Sequence, residues 1–454
     1  MAFVVGERDD GGVATNPDVV VAGGGPAGLA AALALGRSGA RVTVVERDGV
    51  EEGVSAEGAF HIGRAGIAHY MAPHAFLPRG AKVLRERAGD VYDLLLETGA
   101  FELPIARDQA DVRPGDAELI LLCVRRPLIE WALRRAVLRE PLVEFVAGRV
   151  EGVEVTNGAV VGVKTSTGEI GAGLVVDAMG RTSRARRWLA ECGVEVEEES
   201  HEVGIIYYSR YYQLVAGAEF PANKHPFGPR LDLGYAQAAS FLGDNGTFAI
   251  ALMVPSWDRE LKSLRDSARH HACCAALPEF STWVDPTLSK PMTDVSCMGA
   301  LQTTWRGYDE AAPAGFVAVA DAFCHTDPSF ALGLSLGLVH GFALADALAR
   351  GDLSSFYEDT VPELRERFEL ARDVSEVRLA RLRGEQSTPT PAASTFAALN
   401  AAAAHDPDLF RLAFRRAGFL DRLDPLDRPL PAPPSVPPSP VARDELLAAI
   451  AAAP

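Results

Sequence analysis

The sequence predicts an α/β protein: a twisted parallel sheet wound with helices, interrupted by an inserted antiparallel sheet and followed by a helical C-terminal region. Three observations carry this. Residues 18–46 read strand, glycine-rich turn, helix, strand; residues 203–300 change to the alternation of antiparallel strands; residues 328–381 return to long helical stretches.

Asp18-Val-Val-Val-Ala22 is a short apolar run, as expected of a strand buried on both faces. Gly23-x-Gly25-x-x-Gly28 follows and opens the helix Leu29–Gly39. Gly23 permits the tight turn, Gly25 lets backbone approach a pyrophosphate, and Gly28 lets helix pack on strand. The helix N-terminus then offers free N–H groups and positive dipole to phosphates, with Pro26 and Ala27 in the turn that leads into it. Arg41–Glu46 is the second strand; Glu46, followed by Arg47, ends it where a carboxylate can accept from ribose hydroxyls. This is a dinucleotide-binding unit.

Residues 51–80 have weak periodicity and read as a long functional loop. Residues 80–99 and Arg125–Glu140 read as helices, and 143–178 as strands with a hairpin turn at Asn157-Gly158. In the inserted block, Gly204–Leu214 is a tyrosine-rich strand, and Asp244-Asn-Gly246 joins two further strands. Gly315–Asp321 is again a short buried strand; 328–349 reads as an apolar buried helix and 352–381 as an amphipathic one. Eight prolines in 425–440 mark a linker or surface strap outside the core.

The 454 residues suit about three domains. We place the first part of the nucleotide domain at 16–185, the antiparallel-sheet substrate domain at 186–300, the return segment at 301–350, the helical region at 351–424 and the Pro-rich tail at 425–454. The net charge of −17, 44 basic against 61 acidic residues, argues against nucleic acid as a partner. The six cysteines lack CxxC spacing, so a reduced, cytoplasmic setting is expected and a metal site is not. The N-terminal residues do not read as a signal peptide, and neither oily stretch reads as a membrane span.

Beyond this unit, Gly315-Phe-Val-Ala-Val-Ala-Asp321 runs into Cys324-His-Thr-Asp-Pro328 and Ser329-Phe-Ala-Leu-Gly333-Leu334. Here the sequence resembles the FAD-dependent oxidoreductases built like para-hydroxybenzoate hydroxylase, which include epoxidases, geranylgeranyl reductases and flavin-dependent halogenases. The resemblance implies a glutathione-reductase-type FAD-binding domain. It implies that Asp321 binds the ribityl chain, and that the helix after Pro328, with Gly333 and Leu334, points its N-terminus at the flavin. Arg126, with Arg125 as an alternative, would meet the ribityl or pyrophosphate; Val150 would meet the adenine. Two positions depart from the family pattern: Ala320 and Ala331 stand where relatives carry glycine. Val175–Arg184 reads Asp-Ala-Met-Gly-Arg, with Met179 before Gly180, where hydroxylases read Ala-Asp-Gly.

The implied activity is an FAD-dependent monooxygenase that hydroxylates or epoxidises a medium-sized, fairly apolar, natural-product-like molecule through a flavin C4a-hydroperoxide. The alternatives are a flavin dehydrogenase or reductase without oxygen insertion, and, behind these, a halogenase or an inactive flavin-binding scaffold. Electrons would come from NAD(P)H directly or through a partner flavin reductase. No catalytic side chain is readable. Tyr208, Arg210 and Tyr212 share one face of their strand and are candidate substrate contacts. His74 is a further candidate, in a stretch framed by Gly66 and Gly80 that resembles one near the flavin in relatives.

Overall fold

The computed structural model describes residues 18–453, apart from 50–52, 65, 66, 68, 223, 224, 226, 427, 428 and 431–438. Gly66 falls outside the described residues. Five parallel strands form the central sheet, in the spatial order Phe316–Ala318, Leu174–Asp177, Val19–Ala22, Val42–Glu46, Val143–Ala147. In the middle strand all four side chains are buried, which is why it reads as an unbroken apolar run. A three-stranded antiparallel meander, Val150–Thr156, Ala159–Thr165 and Gly168–Gly171, follows the edge strand. Its first turn carries Asn157 and Gly158 at φ 50° and 77°, as the Asn-Gly pair requires.

The inserted block is a larger sheet. Its strands Arg230–Asp232, Gln237–Leu242, Thr247–Pro255 and Ile205–Leu214 are neighbours in that order, and Ser289–Pro291 and Ser296–Met298 both pair with Ile205–Leu214. The Asp244-Asn-Gly hairpin docks onto the nucleotide-binding unit. Buried Asp244 accepts from Arg125 at N, Nε and Nη2, the last at 2.6 Å, and Asn245 Nδ2 donates to Thr98 O.

The helix Pro26–Arg37 lies against the helix Leu332–Ala349 through small residues. A Cβ on Gly341 would stand 2.7 Å from Ala31 N and 2.8 Å from Ala30 C; one on Gly337 would stand 3.1 Å from Ala27 Cα. This close crossing brings both helix N-termini to the same cavity. Gly341→Ala is therefore expected to cost about 1–3 kcal/mol by overpacking backbone against backbone. Calorimetry checks it: an unchanged melting temperature would show that the helices separate freely. Among the described residues Leu332–Ala349 is the one helix long and apolar enough to cross a membrane, and two-thirds of it is buried within the protein.

Two elements differ from the sequence expectation. The loop of 51–80 contains a short helix, Ala56–Ile62, and the next helix already begins at Pro78. The Pro-rich stretch of 425–440 falls largely outside the described residues, but the tail beyond it packs onto the protein. Arg443–Ala451 is a helix, and Val441, Leu446 and Ile450 are buried with the outer face of the inserted sheet. Leu446 and Ile450 stand four apart on one helix face, which supplies the apolar stripe that the proline content hides.

Candidate functional site

One cavity of about 1100 Å³ opens where the central sheet's strand ends meet the two helix N-termini. Its size suits a large cofactor. Gly23, Gly25, Pro26 and Ala27 line it from the first turn, and Glu46, Arg47 and Val150 from the next strand ends. Arg126, Asp321, Gly333 and Leu334 complete the set of expected residues on its wall.

The first turn has the open backbone geometry a phosphate group would need. Gly23 takes φ 104°, open to glycine and strained for any other residue. Gly25 caps the helix without any side-chain hydrogen bond, and a Cβ there would meet no protein atom within 4 Å. That space belongs to the cavity. Gly28 does not line the cavity; a Cβ on it would lie 1.9 Å from Gly23 O, so it serves the strand–helix contact.

Glu46 is nearly buried and accepts from Gly24 N at 2.7 Å and Asp48 N at 2.9 Å. Burial pushes its carboxyl up, but Arg64, with Nη2 at 2.6 Å, outweighs this and holds it below the usual carboxylate range. Arg64 also donates to Gly24 O, Asp48 and buried Glu130. Sequence reading missed Arg64: it sits in the aperiodic loop, and its partners lie far away along the chain.

Arg126 and Arg125 diverge. Arg125 turns to Asp244 and Glu57 and lies over the Phe60 ring. Arg126 faces the cavity, 4% exposed, with Nη2 3.3 Å from Glu130 and Nη1 without a protein partner. A buried guanidinium N–H left unpaired is costly, so Arg126 is built for a ligand acceptor. In all, six arginines and four carboxylates line the cavity, a local positive balance in a chain of net charge −17. That balance favours a pyrophosphate.

At the far wall, Asp321 lies against the N-terminus of Leu332–Ala349; a Cβ on Gly333 would be 3.3 Å from its Oδ1. Arg306 fixes this turn by donating to the carbonyls of Asp321, Ala322 and Arg181. Ala320 and Ala331 take φ 50° and 54°: the backbone keeps the left-handed shape although the glycine is gone. Pro328 stands off the cavity wall and starts the short turn before the helix, where Asp327 Oδ1 accepts from Ser329 N. Met179 lines the cavity, whereas Asp177 is buried and accepts from Met179 N and Ser183 Oγ.

His74 and His69 line the same cavity with rings 5.8 Å apart. Burial, then neighbouring positive charge from Arg126, pushes His74 down to about 3, so it is neutral; its Nδ1 lies 2.8 Å from Ala72 O.

The strand face expected to meet substrate does not reach this cavity. Tyr208 and Tyr212 are buried against the helices Ser267–Ala276 and Arg443–Ala451, and Arg210 donates to Thr293 O and Ser267 O. These side chains belong to an outer core layer and do not line the cavity. The other face turns towards the nucleotide-binding unit. Tyr207 donates to Asp327 at 3.1 Å, and Tyr211 packs edge-on against Phe60, with Met71 and Met292 beside them.

A helix N-terminus without a side-chain cap, a glycine-lined turn, a carboxylate at the second strand end and an unpaired buried arginine together suit a dinucleotide. Residues 18–204 match the family described as FAD dependent oxidoreductase. Over these residues the chain is similar to that family, and its central sheet, inserted sheet and return strand follow the same architecture. No curated protein matches it in sequence. Among solved structures it is similar to the flavoprotein/dehydrogenase from Cytophaga hutchinsonii, at 17% identity and TM-score 0.62, covering 88% of this chain and 93% of that one. PqsL of Pseudomonas aeruginosa, in complex with 2-aminobenzoylacetate, matches at 19% identity and TM-score 0.58, covering 82% and 99%. The myxobacterial chondrochloren halogenase CndH matches at 18% identity and TM-score 0.57, covering 89% and 97%. At these identities the likeness is one of fold.

Proposed function

We propose that the protein is a flavin monooxygenase acting on a medium-sized, fairly apolar molecule, held between the flavin and the inner face of the inserted sheet. The observation that carries this reading is the wall formed by Asp321 and the N-terminus of Leu332–Ala349. A helix N-terminus stabilises an anion, and reduced flavin is one. FAD supplies the redox chemistry and, once reduced, the reaction with dioxygen.

In this reading the chain's own residues bind and orient. The backbone from Gly25 to Ala27 and the Arg64 and Arg126 guanidinium groups hold the pyrophosphate and ribityl oxygens. Glu46 keeps acceptor capacity for ribose hydroxyls, and Asp321 takes the ribityl hydroxyls. Met71 and Met292, half-buried beside Tyr211 and Phe60 on the inner face of the inserted sheet, would meet an apolar substrate and help exclude water. His74, neutral, on the cavity wall and with Nδ1 donating to Ala72 O, presents Nε2 as a hydrogen-bond acceptor. Electrons reach the flavin from a partner reductase or free reduced flavin. Asp177 supports this, because its carboxylate is spent on Met179 N and Ser183 and cannot serve nicotinamide.

The holoprotein, reduced by a flavin reductase with NADH and exposed to labelled dioxygen and a set of phenolic and alkene compounds, should place one labelled oxygen atom in a product. Substrate oxidation without label would assign the protein to the dehydrogenases instead. Rapid anaerobic bleaching by NADPH or NADH alone would remove the need for a partner.

A further inference from the structure

We infer that His340, two helical turns beyond the cavity wall, is a positioning residue that holds the Ala320–Asp321 turn in its cofactor-binding shape. The inference rests on the reading that Asp321 faces the flavin.

His340 is fully buried, with its ring against Phe356 and Phe323. Its Nδ1 accepts from the backbone N–H of Ala320 at 3.1 Å, and its Nε2 has no partner. A histidine whose Nδ1 accepts must carry its proton on Nε2, and burial, which pushes its pKa down to about 3, keeps it neutral. Such a ring leaves one polar atom unsatisfied in an apolar layer, where a leucine or phenylalanine would pack without that penalty. Its single polar contact is therefore the feature that accounts for a histidine here.

That contact falls on the one residue of the turn that needs it. Ala320 stands at φ 50°, where its Cβ is strained, and such a conformation persists only when its surroundings over-determine it. Ala320 is also buried, so its N–H would otherwise lack a partner. The next residue is Asp321, on the cavity wall. A glycine at 320 would adopt the same turn unaided. The alanine and the histidine thus form a matched pair: the side chain supplies what the backbone lost.

The test is a cycle of variants, titrating apoprotein with FAD and reading the quenching of Trp188, which lines the cavity. His340→Leu should weaken FAD binding about tenfold, or about 1.4 kcal/mol. In an Ala320→Gly background the same change should weaken it no more than about twofold. His340→Asn, which keeps an acceptor near the Nδ1 position, should stay close to wild type. Should His340→Leu fail to fold, His340→Phe takes its place. Equal losses in both backgrounds would show that the ring acts by packing, and an unchanged affinity would leave it a core residue; either result overturns the inference. Asp321→Ala is measured beside them. If it retains full FAD affinity, the placing of Asp321 at the flavin falls; if it loses affinity while His340→Leu does not, only the role of His340 falls.

Discussion

Gly25→Val should yield a folded, colourless protein. The cradle position is open, with no protein atom within 4 Å of an added Cβ, and its φ of −80° suits any residue. The branched side chain would project only into the cavity, where the pyrophosphate must approach the helix N-terminus. We expect FAD affinity to fall about a hundredfold or more, near 3 kcal/mol, with little change in the circular dichroism or melting point of the apoprotein. Gly28→Val is the contrasting case. Its Cβ would stand 1.9 Å from Gly23 O, so this variant should fail to fold with or without flavin. A yellow Gly25→Val protein with full flavin content would show that the cofactor is held elsewhere.

Arg378→Met should be the most damaging single change away from the cavity. Arg378, on the long helix Ser354–Arg383, meets fully buried Asp327, which also accepts from Ser375 Oγ at 2.7 Å and Tyr207 OH at 3.1 Å. Two separate parts of the chain, the long helix and the tyrosine strand, converge on this carboxylate, next to the turn that leads into the helix Leu332–Ala349. Removing the arginine leaves an unpaired buried charge, at a cost of about 3–5 kcal/mol, or a melting shift on the order of 3–5 °C for a chain of this size. The double variant Asp327→Asn with Arg378→Met should lose less than the single one. Burial pushes the Asp327 carboxyl up, but Arg378 and its other donors hold it below the ordinary value. Its folded pKa thus lies under the unfolded one, so its stabilisation is present above about pH 4. It is lost as pH falls through the folded value. Melting curves from pH 7 to pH 3 check this: wild type should lose stability towards acid more steeply than the double variant. Parallel curves would show that the pair is not ionised in the fold.

The nucleotide-binding unit is legible in the sequence because its signals are local. The strand of 19–22, the glycine spacing and Glu46 lie within thirty residues, and each glycine has a steric reason. The two Asn-Gly hairpins are legible for the same cause. Arg64 is not, because what makes it significant is the meeting of Glu46, Asp48 and Glu130 around one guanidinium. The tyrosine strand is half legible. Alternation correctly separates Tyr208 and Tyr212 from Tyr207 and Tyr211, but cannot say which face turns to the cavity. That depends on the helices Ser267–Ala276 and Arg443–Ala451, which cover the first pair. Ala320 and Ala331 stand out in the sequence as departures from glycine; that their backbone stays left-handed is visible only in three dimensions.

The order of strands in the central sheet has a kinetic consequence. Phe316–Ala318 pairs with Leu174–Asp177, so the whole inserted sheet must be threaded between two neighbouring strands. The sheet edge beside the cavity therefore cannot close until a long stretch of chain has been arranged elsewhere. Pairings of such sequence separation are slow to form, because loop closure precedes the contacts that reward it. Until then the apolar edge of Leu174–Asp177 stays open to other chains. Refolding from denaturant should thus be slow and concentration-sensitive, with yield set by how quickly the insert folds rather than by the Rossmann-like half that precedes it.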